Sequence, residues 1–297
     1  MTDLKFPPEA AWRPLVEIAL AEDIGTGDIT SNLSLDVDAQ GDARIEARQT
    51  LVACGLPLMR EIFHAVDPTL DVELETEDGK TVSADAPLLR VSGSVRSIMA
   101  AERLALNFLG RLAGIATYTR EYVDAVAGSG AEIIDTRKTL PGWRLLDKYA
   151  VLAGGGGNHR IGLFDGILLK DNHIAAAGGV GRAVERSKAG APSGMLVQCE
   201  VESLAQAKEA WEAGADMLLL DNQTPAQLRE IVDACPDHLV LEASGGITLE
   251  NVRDVATTGV HRISIGALTH SAPVVDVALE METGRRDLSE NESASRG

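Results

Sequence analysis

From residue 130 onward the chain repeats one unit: a short apolar run, a polar or glycine-rich turn, and a helix-forming stretch. The runs occur at Glu132–Asp135, Gly166–Leu169, Leu196–Cys199, Met217–Leu220, Leu239–Leu241 and Arg262–Ile265. Strands so short and so uniformly apolar are covered on both faces, the pattern of a parallel sheet wrapped by helices. Ser203 with Gln206, and Thr224-Pro225 with Gln227, read as capping boxes that start helices. Gly214 and Gly259 sit where those helices should stop. Six such strands fall short of the eight strands and roughly 250 residues of a complete barrel. An incomplete parallel α/β barrel is therefore expected, with an open doubly wound sheet as the alternative.

The first part of the chain has a different rhythm. Alternating segments at Ala43–Val52, Leu70–Glu77 and Pro87–Val91 are separated by Asp78-Gly79 and Ser92-Gly93, which predicts antiparallel strands and turns. Ser94–Thr117 contains no Pro and carries apolar residues at helical spacing, so one long, mostly buried helix is expected there. The division that follows is an N-terminal α/β domain over 1–115, a barrel over 116–272 and a C-terminal segment over 273–297. The tail from Gly284 is polar and expected to be disordered.

Charge narrows the function. The 297 residues carry 27 Lys and Arg against 45 Asp and Glu, a formal charge of −18. Such a surface repels nucleic acid and anionic membranes. Three cysteines without CxxC spacing argue against a disulfide framework or structural zinc, and fit a reducing compartment. No apolar leader and no run near the ~18 residues of a membrane span is found, so a cytoplasmic protein without a membrane segment is expected.

Against that background the strand ends stand out. They carry Arg137-Lys138, Lys170-Asp171-Asn172, Glu200, Asp221-Asn222, Ser244-Gly245-Gly246 and Gly266-Ala267. In parallel α/β folds these ends open on one face, where sites are built. Thr136–Phe164 holds five basic residues (Arg137, Lys138, Arg144, Lys148, Arg160) and one acid, Asp147, with His159 added. A basic island in an acidic chain implies a small polyanionic ligand. Arg137, Lys138, Arg160 and Lys170 are read as ligand contacts, whereas Arg144 and Lys148 are read as helix residues balancing Asp147 and distant acids.

The run AGGGGN at Ala153–Asn158 lacks the Gly-Lys-Ser/Thr of a P-loop. A flexible turn and an anion-binding loop fit it equally. Gly245-Gly246, before a helix expected near Thr248, is the better phosphate site. Glu200 and Asp221 end successive strands and suit sugar hydroxyls or a divalent cation bridging to phosphate, or else ion pairs with Lys138 or Lys170. Cys199 is expected in the core. His64, His238, His261 and His270 are read as structural, and His173 as packing.

The residues that carry these features also resemble a known family. DTRKTLPGWRLLDKYAVLAGGGGNHRIGLFDGILLKDNHI (Asp135–Ile174), EDIGTGDITS (Glu22–Ser31), ERLALNFLGRLAGIAT (Glu102–Thr117), CEVES, MLLLDN, EASGGI and IGALTHS resemble quinolinate phosphoribosyltransferases, in order along nearly the whole chain. One departure is Leu104, where Thr is common. The resemblance implies an N-terminal open-faced α/β sandwich and a seven-stranded incomplete α/β barrel, in a homodimer with shared sites. It implies condensation of quinolinate with phosphoribosyl pyrophosphate, requiring Mg²⁺, to nicotinate mononucleotide, pyrophosphate and CO₂, the entry to pyridine nucleotides and NAD.

Carried over by motif, Thr136, Arg137, Lys138, His159, Arg160 and Lys170 line the pocket for the dicarboxylate and nearby phosphates. Arg103 lies on the helix that reaches the partner's site. Glu200 and Asp221 match acids at the ribose and metal, the latter contact direct or through the substrate, and with Lys138 they form the implied catalytic set. Ser244, Gly245, Gly246, Ile265, Gly266 and Ala267 match the backbone around the 5′-phosphate. The alternatives are a molybdenum-transport-associated paralogue with another substrate, and a Schiff-base aldolase using Lys170.

Overall fold

The computed structural model describes residues 4–282, so the tail from Gly284, expected to be disordered, lies outside the described residues. The chain forms two compact units: Pro14–Gly110 with the segment from Val275, and Arg111–Val274 with the residues up to Arg13.

The first unit contains α1 (Arg13–Asp23), α2 (Ile29–Ser34), β1 (Gln40–Ala47), β2 (Leu51–Val52), α3 (Leu56–Val66), β3 (Asp71–Leu74), β4 (Thr81–Val82), β5 (Pro87–Ser94) and the start of α4 (Val95–Ala125). Asp28 caps α2 by accepting the Ser31 N–H at 3.1 Å. Strands β3, β5 and β1 form an antiparallel sheet, while β2 pairs with β4 in a separate ribbon. The segment expected over Ala43–Val52 therefore divides into two strands that serve different sheets.

The last described strand returns to this unit after the parallel sheet is complete. It pairs antiparallel with β1, Ala43 opposite Met281 and Ile45 opposite Leu279. No strand is expected there from the sequence reading, although Val277, Leu279 and Met281 recur at every second position, with Glu280 and Glu282 on the other face.

In the second unit the parallel strands are β6 (Glu132–Ile134), β7 (Ile167–Leu169), β8 (Val197–Val201), β9 (Met217–Asp221), β10 (Val240–Ser244) and β11 (Arg262–Ser264), and the final strand of the chain is β12 (Val277–Glu282). Between and after them come α5 (Arg144–Ala153), α6 (Asp171–Ala177), α7 (Val180–Gly190), α8 (Leu204–Glu212), α9 (Pro225–Ala234), α10 (Val252–Ala256) and α11 (Ala267–His270). Ser203 and Thr224 cap α8 and α9 as expected, and Gly214 and Gly259 take left-handed φ of 97° and 95°.

Strand order decides between the two expected architectures. It runs β6-β11-β10-β9-β8-β7, so successive strands from β7 to β11 are neighbours and the first lies beside the last. A doubly wound sheet reverses direction at a switch point. From β7 to β11 there is no reversal, which disfavours the doubly wound alternative; the parallel sheet has six strands.

The glycine run turns out to be a packing device. A Cβ on Gly154 would lie 2.5 Å from Ala116 O, and one on Gly156 would lie 2.9 Å from the Thr119 side chain on α4. Gly157 makes a parallel bridge to Ile134. None of the four lines the cavity described below, so the anion-loop reading falls and close approach of α4 replaces it.

Candidate active site

The carboxyl ends of the parallel strands open on one cavity of about 750 Å³. Thr136, Arg137 and Lys138 follow β6, Lys170 follows β7, Glu200 lies on β8, Asp221 ends β9, Ser244-Gly245-Gly246 end β10, and Ile265-Gly266-Ala267 follow β11. All of them line it, together with His159 and Arg160. Of the expected site residues only Arg103 is elsewhere, on the part of α4 that belongs to the other unit.

Each basic group has a local reason for its place. Thr136 Oγ1 accepts the Lys138 N–H at 3.0 Å, which tightens the turn after β6. Thr269 Oγ1 donates to Lys138 O at 2.7 Å. Gly266 makes room for the lysine, since a Cβ there would lie 2.9 Å from Lys138 Cδ. Arg160 donates from Nη1 to Gly166 O at 2.8 Å. Burial first, then repulsion from Arg137, disfavours the charged form of Arg160. Among the described residues no carboxylate comes within ion-pair distance of Arg137, Lys138 or Arg160. Three cations thus share a cavity without an ion-pair partner, although Asp165 attracts Arg160 from beyond that distance.

The fourth cation is different. Lys170 Nζ lies 2.7 Å from Glu200 Oε2, half exposed. Its ammonium is already engaged, which counts against an amine nucleophile. Asp221 Oδ2 accepts from Asn222 Nδ2 at 2.7 Å. Asn222 holds φ of 53°, a left-handed conformation that Asn tolerates, and donates its N–H to Ser244 O at 2.9 Å. A Cβ on Gly245 would lie 2.2 Å from Asn222 Oδ1, so glycine is required where these two strand ends meet.

Two expectations need correcting. The helix expected near Thr248 begins only at Val252, and the Thr248 N–H donates to Asn251 Oδ1 at 2.9 Å. Gly245 and Gly246 border the cavity with left-handed backbone, φ 88° and 61°, and no helix end stands directly behind them. Lys148 does not balance Asp147. It is buried in an ion pair with Asp135 and donates a second bond to His159 O at 2.8 Å. Asp147 is taken by Arg111, whose Nη2 lies 2.8 Å from its Oδ2. Arg144 bonds Thr139 Oγ1, Ile161 O and Arg137 O, bracing the loops that carry the basic set.

Other residues of the site are not among the expected contacts. Glu242, Asn222, Thr248 and His270 line the cavity. Glu242 is fully buried, and its Oε1 accepts no hydrogen bond but lies 3.7 Å from His159 Nε2. His270, read as structural, bonds Ser271 Oγ at 2.6 Å at the mouth. The available signal was position, since Glu242 precedes Ser244 by two residues and shares its face of β10. His173, Cys199, His64 and His261 behave as structural groups: His173 Nδ1 accepts the Lys170 N–H, Cys199 is buried, and the other two bond backbone.

Comparison with known proteins points the same way. The chain matches the family models for the quinolinate phosphoribosyl transferase N-terminal domain over residues 28–113 and C-terminal domain over residues 115–280. A probable nicotinate-nucleotide pyrophosphorylase (carboxylating) of Bacillus subtilis is 39% identical over 269 residues, covering 91% of this chain and 93% of that protein. A mitochondrial quinolinate phosphoribosyltransferase (decarboxylating) of Nicotiana tabacum is 40% identical, covering 93% and 84%. The solved nicotinate-nucleotide pyrophosphorylase of Francisella tularensis superposes with a TM-score of 0.91 at 38% identity, covering 95% of this chain and all of that one.

Proposed function

The chain belongs to the quinolinate phosphoribosyltransferase family, and from that premise we infer that it transfers the phosphoribosyl group of phosphoribosyl pyrophosphate to quinolinate with loss of CO₂. The products are nicotinate mononucleotide and pyrophosphate, the entry to NAD. The observation that carries this reading is the cluster of Arg137, Lys138 and Arg160 in one cavity, none of them ion-paired among the described residues. Quinolinate brings two carboxylates and the second substrate several phosphate charges. Arg side chains match carboxylates in planar, two-point fashion.

The residues divide the work by charge. Arg137, Arg160 and His159 border the side of the site fit for the dicarboxylate, and Lys138 stands where it can neutralise a leaving pyrophosphate. Ser244-Gly245-Gly246 and Ile265-Gly266-Ala267 offer close backbone approach to a 5′-phosphate. Glu200 and Asp221 place negative charge where departure of pyrophosphate leaves positive charge on the ribose. Attack by the ring nitrogen then makes a pyridinium, which accepts the electron pair as the adjacent carboxylate leaves, so no protein cofactor is needed for that step.

Mg²⁺ fits as a shared ion. Glu200 and Asp221 are hard oxygen donors on adjacent strands, yet among the described residues no group of three or more His, Cys, Asp or Glu could cage a metal. Two carboxylates plus substrate phosphates are the usual Mg²⁺ donor set. When bound, the ion would supply charge neutralisation to the pyrophosphate.

Two structural elements complete the reading. The parallel sheet is taken as an incomplete barrel in which Gly157, bridged to Ile134, is the rudiment of a seventh strand. Arg103, away from the cavity of its own chain, is taken to serve the site of a partner in a homodimer, an isologous exchange that builds both sites alike.

The test is pyrophosphate and CO₂ release in the presence of quinolinate, phosphoribosyl pyrophosphate and Mg²⁺, repeated with other ring acids. Turnover should require quinolinate. Faster turnover with another ring acid would assign the chain to a different substrate, and covalent borohydride capture of a carbonyl compound on Lys170 would replace the reading outright.

A further inference from the structure

Behind the cavity, four groups form a single chain of hydrogen bonds that reaches from the loop after α5 to β10. The Arg160 backbone N–H donates to His159 Nδ1 at 2.7 Å. A backbone N–H has no alternative to donating, so Nδ1 is the acceptor and the proton of the neutral ring sits on Nε2. His159 Nε2 lies 3.1 Å from Gln198 Oε1. The other end of that amide is fixed too, because Gln198 Nε2 donates to Glu242 Oε2 at 2.9 Å. Every direction in the chain is therefore set by a group that can act only one way.

The surroundings reinforce it. Gln198 on β8 and Glu242 on β10 are both buried, at 4% and 0% exposure, so bulk water offers the amide no competing partner. The backbone of His159 is itself held, its N–H by Asp135 from β6 and its carbonyl by Lys148 from α5. Burial first, with help from Lys148 and Arg160, keeps the imidazole below its ordinary range against the pull of Glu242, whose Oε1 lies 3.7 Å from Nε2, and of the Gln198 hydrogen bond. A proton added at Nδ1 would also evict the Arg160 amide.

We propose that Gln198, itself oriented by Glu242, is a positioning residue that holds His159 in the Nε2–H tautomer, so that the ring forms a fixed wall of the cavity. The catalytic consequence rests on the quinolinate reading above: the two carboxylates are matched by Arg and Lys charge. A free histidine beside a dianion would take up a proton near neutral pH and make binding pH-dependent. Here the Arg160 N–H occupies Nδ1, the only ring nitrogen that could take that proton.

The experiment is side-chain ¹⁵N NMR of the full chain, whose six histidines are few enough to assign by substitution. In the wild type, His159 should show one neutral Nε2–H signature between about pH 6 and about pH 8, with or without quinolinate. An imidazolium or Nδ1–H signature in that range overturns the proposal. Gln198→Leu supplies the second reading. It removes the acceptor for the His159 Nε2 proton while keeping an apolar side chain of similar length in the buried position. The His159 signature should change, and the quinolinate KM should rise about tenfold with kcat much less affected. An unchanged signature with unchanged KM overturns the positioning role. If Gln198→Leu fails to fold, the wild-type spectrum still decides. Spectra taken without substrate test the network even if quinolinate proves to be the wrong ligand.

Discussion

Lys148 and Asp135 form an ion pair with almost no exposed side-chain surface on either partner, and Asp135 Oδ1 also accepts the His159 N–H at 2.8 Å. The pair stands under the cavity and carries one of its walls. Burial pushes Asp135 up to about 6 against the attraction of Lys148, and pushes Lys148 down from its usual value. Removing one partner strands the other charge. Lys148→Met should therefore cost about 3–5 kcal/mol of stability, read from urea unfolding.

The same pair sets a pH dependence. Because the folded value of Asp135 lies above the unfolded 3.8, the folded chain holds more proton between about 4 and about 6. Stability due to this group falls as pH rises across that window. In Lys148→Met the attraction is gone, so the window extends upward and the deficit widens above about pH 6. Asp135→Asn, which cannot ionise, should lose this slope. A deficit that shrinks with rising pH would contradict the assignment.

Lys138→Ala and Arg160→Ala should each lower kcat/KM by the equivalent of about 2–5 kcal/mol, as for other desolvated charge contacts. Thermal midpoints should hardly move, and relief of repulsion from Arg137 favours the Arg160 variant slightly. Near-normal kcat/KM in either variant would make that residue surface charge.

Asp221→Asn keeps the shape and the acceptor for Asn222 but removes the charge facing the ribose. Turnover should fall more than quinolinate affinity, measured by steady-state kinetics and direct binding. An equal loss of quinolinate binding with turnover intact would move Asp221 to the dicarboxylate end.

Arg103→Ala and Lys138→Ala should complement each other if sites are shared. After unfolding, mixing and refolding, one site of a mixed dimer carries both lesions and the other carries neither. Pyrophosphate release should return above that of either variant alone. Mixed dimers that form and stay inactive would place Arg103 in its own chain's site.

How much of this was legible beforehand follows from the range of the interactions. Strand ends are local: each apolar run marks its own last residue, and a parallel sheet brings all such ends to one face. Arg137, Lys170, Glu200, Asp221, Ser244 and Gly266 could thus be grouped from spacing alone, and the long Asp135–Ile174 motif named the family. The cap at Ser203 and the capping box at Thr224 were equally local, although Gln206 returns its bond to the Glu202 N–H and not to Ser203.

What spacing could not show was which distant groups neutralise one another. Arg144 and Lys148 read as balancing Asp147 and unnamed distant acids, but i and i+1 on a helix point apart, so Lys148 cannot serve Asp147. The true partners are Asp135, thirteen residues away, and, for Asp147, Arg111 on α4. The four glycines carry no side chain to declare a role, and only the approach of Thr119 and Ala116 showed that they exist to be packed against. Glu242 reads as one more acid in an acidic chain until β8 and β10 stand on either side of β9 and bring Gln198 to it. Local pattern determined the elements, their ends and the chemistry gathered there. Tertiary structure alone decided the pairings, because a buried charge or amide is satisfied by whatever the folded chain places beside it.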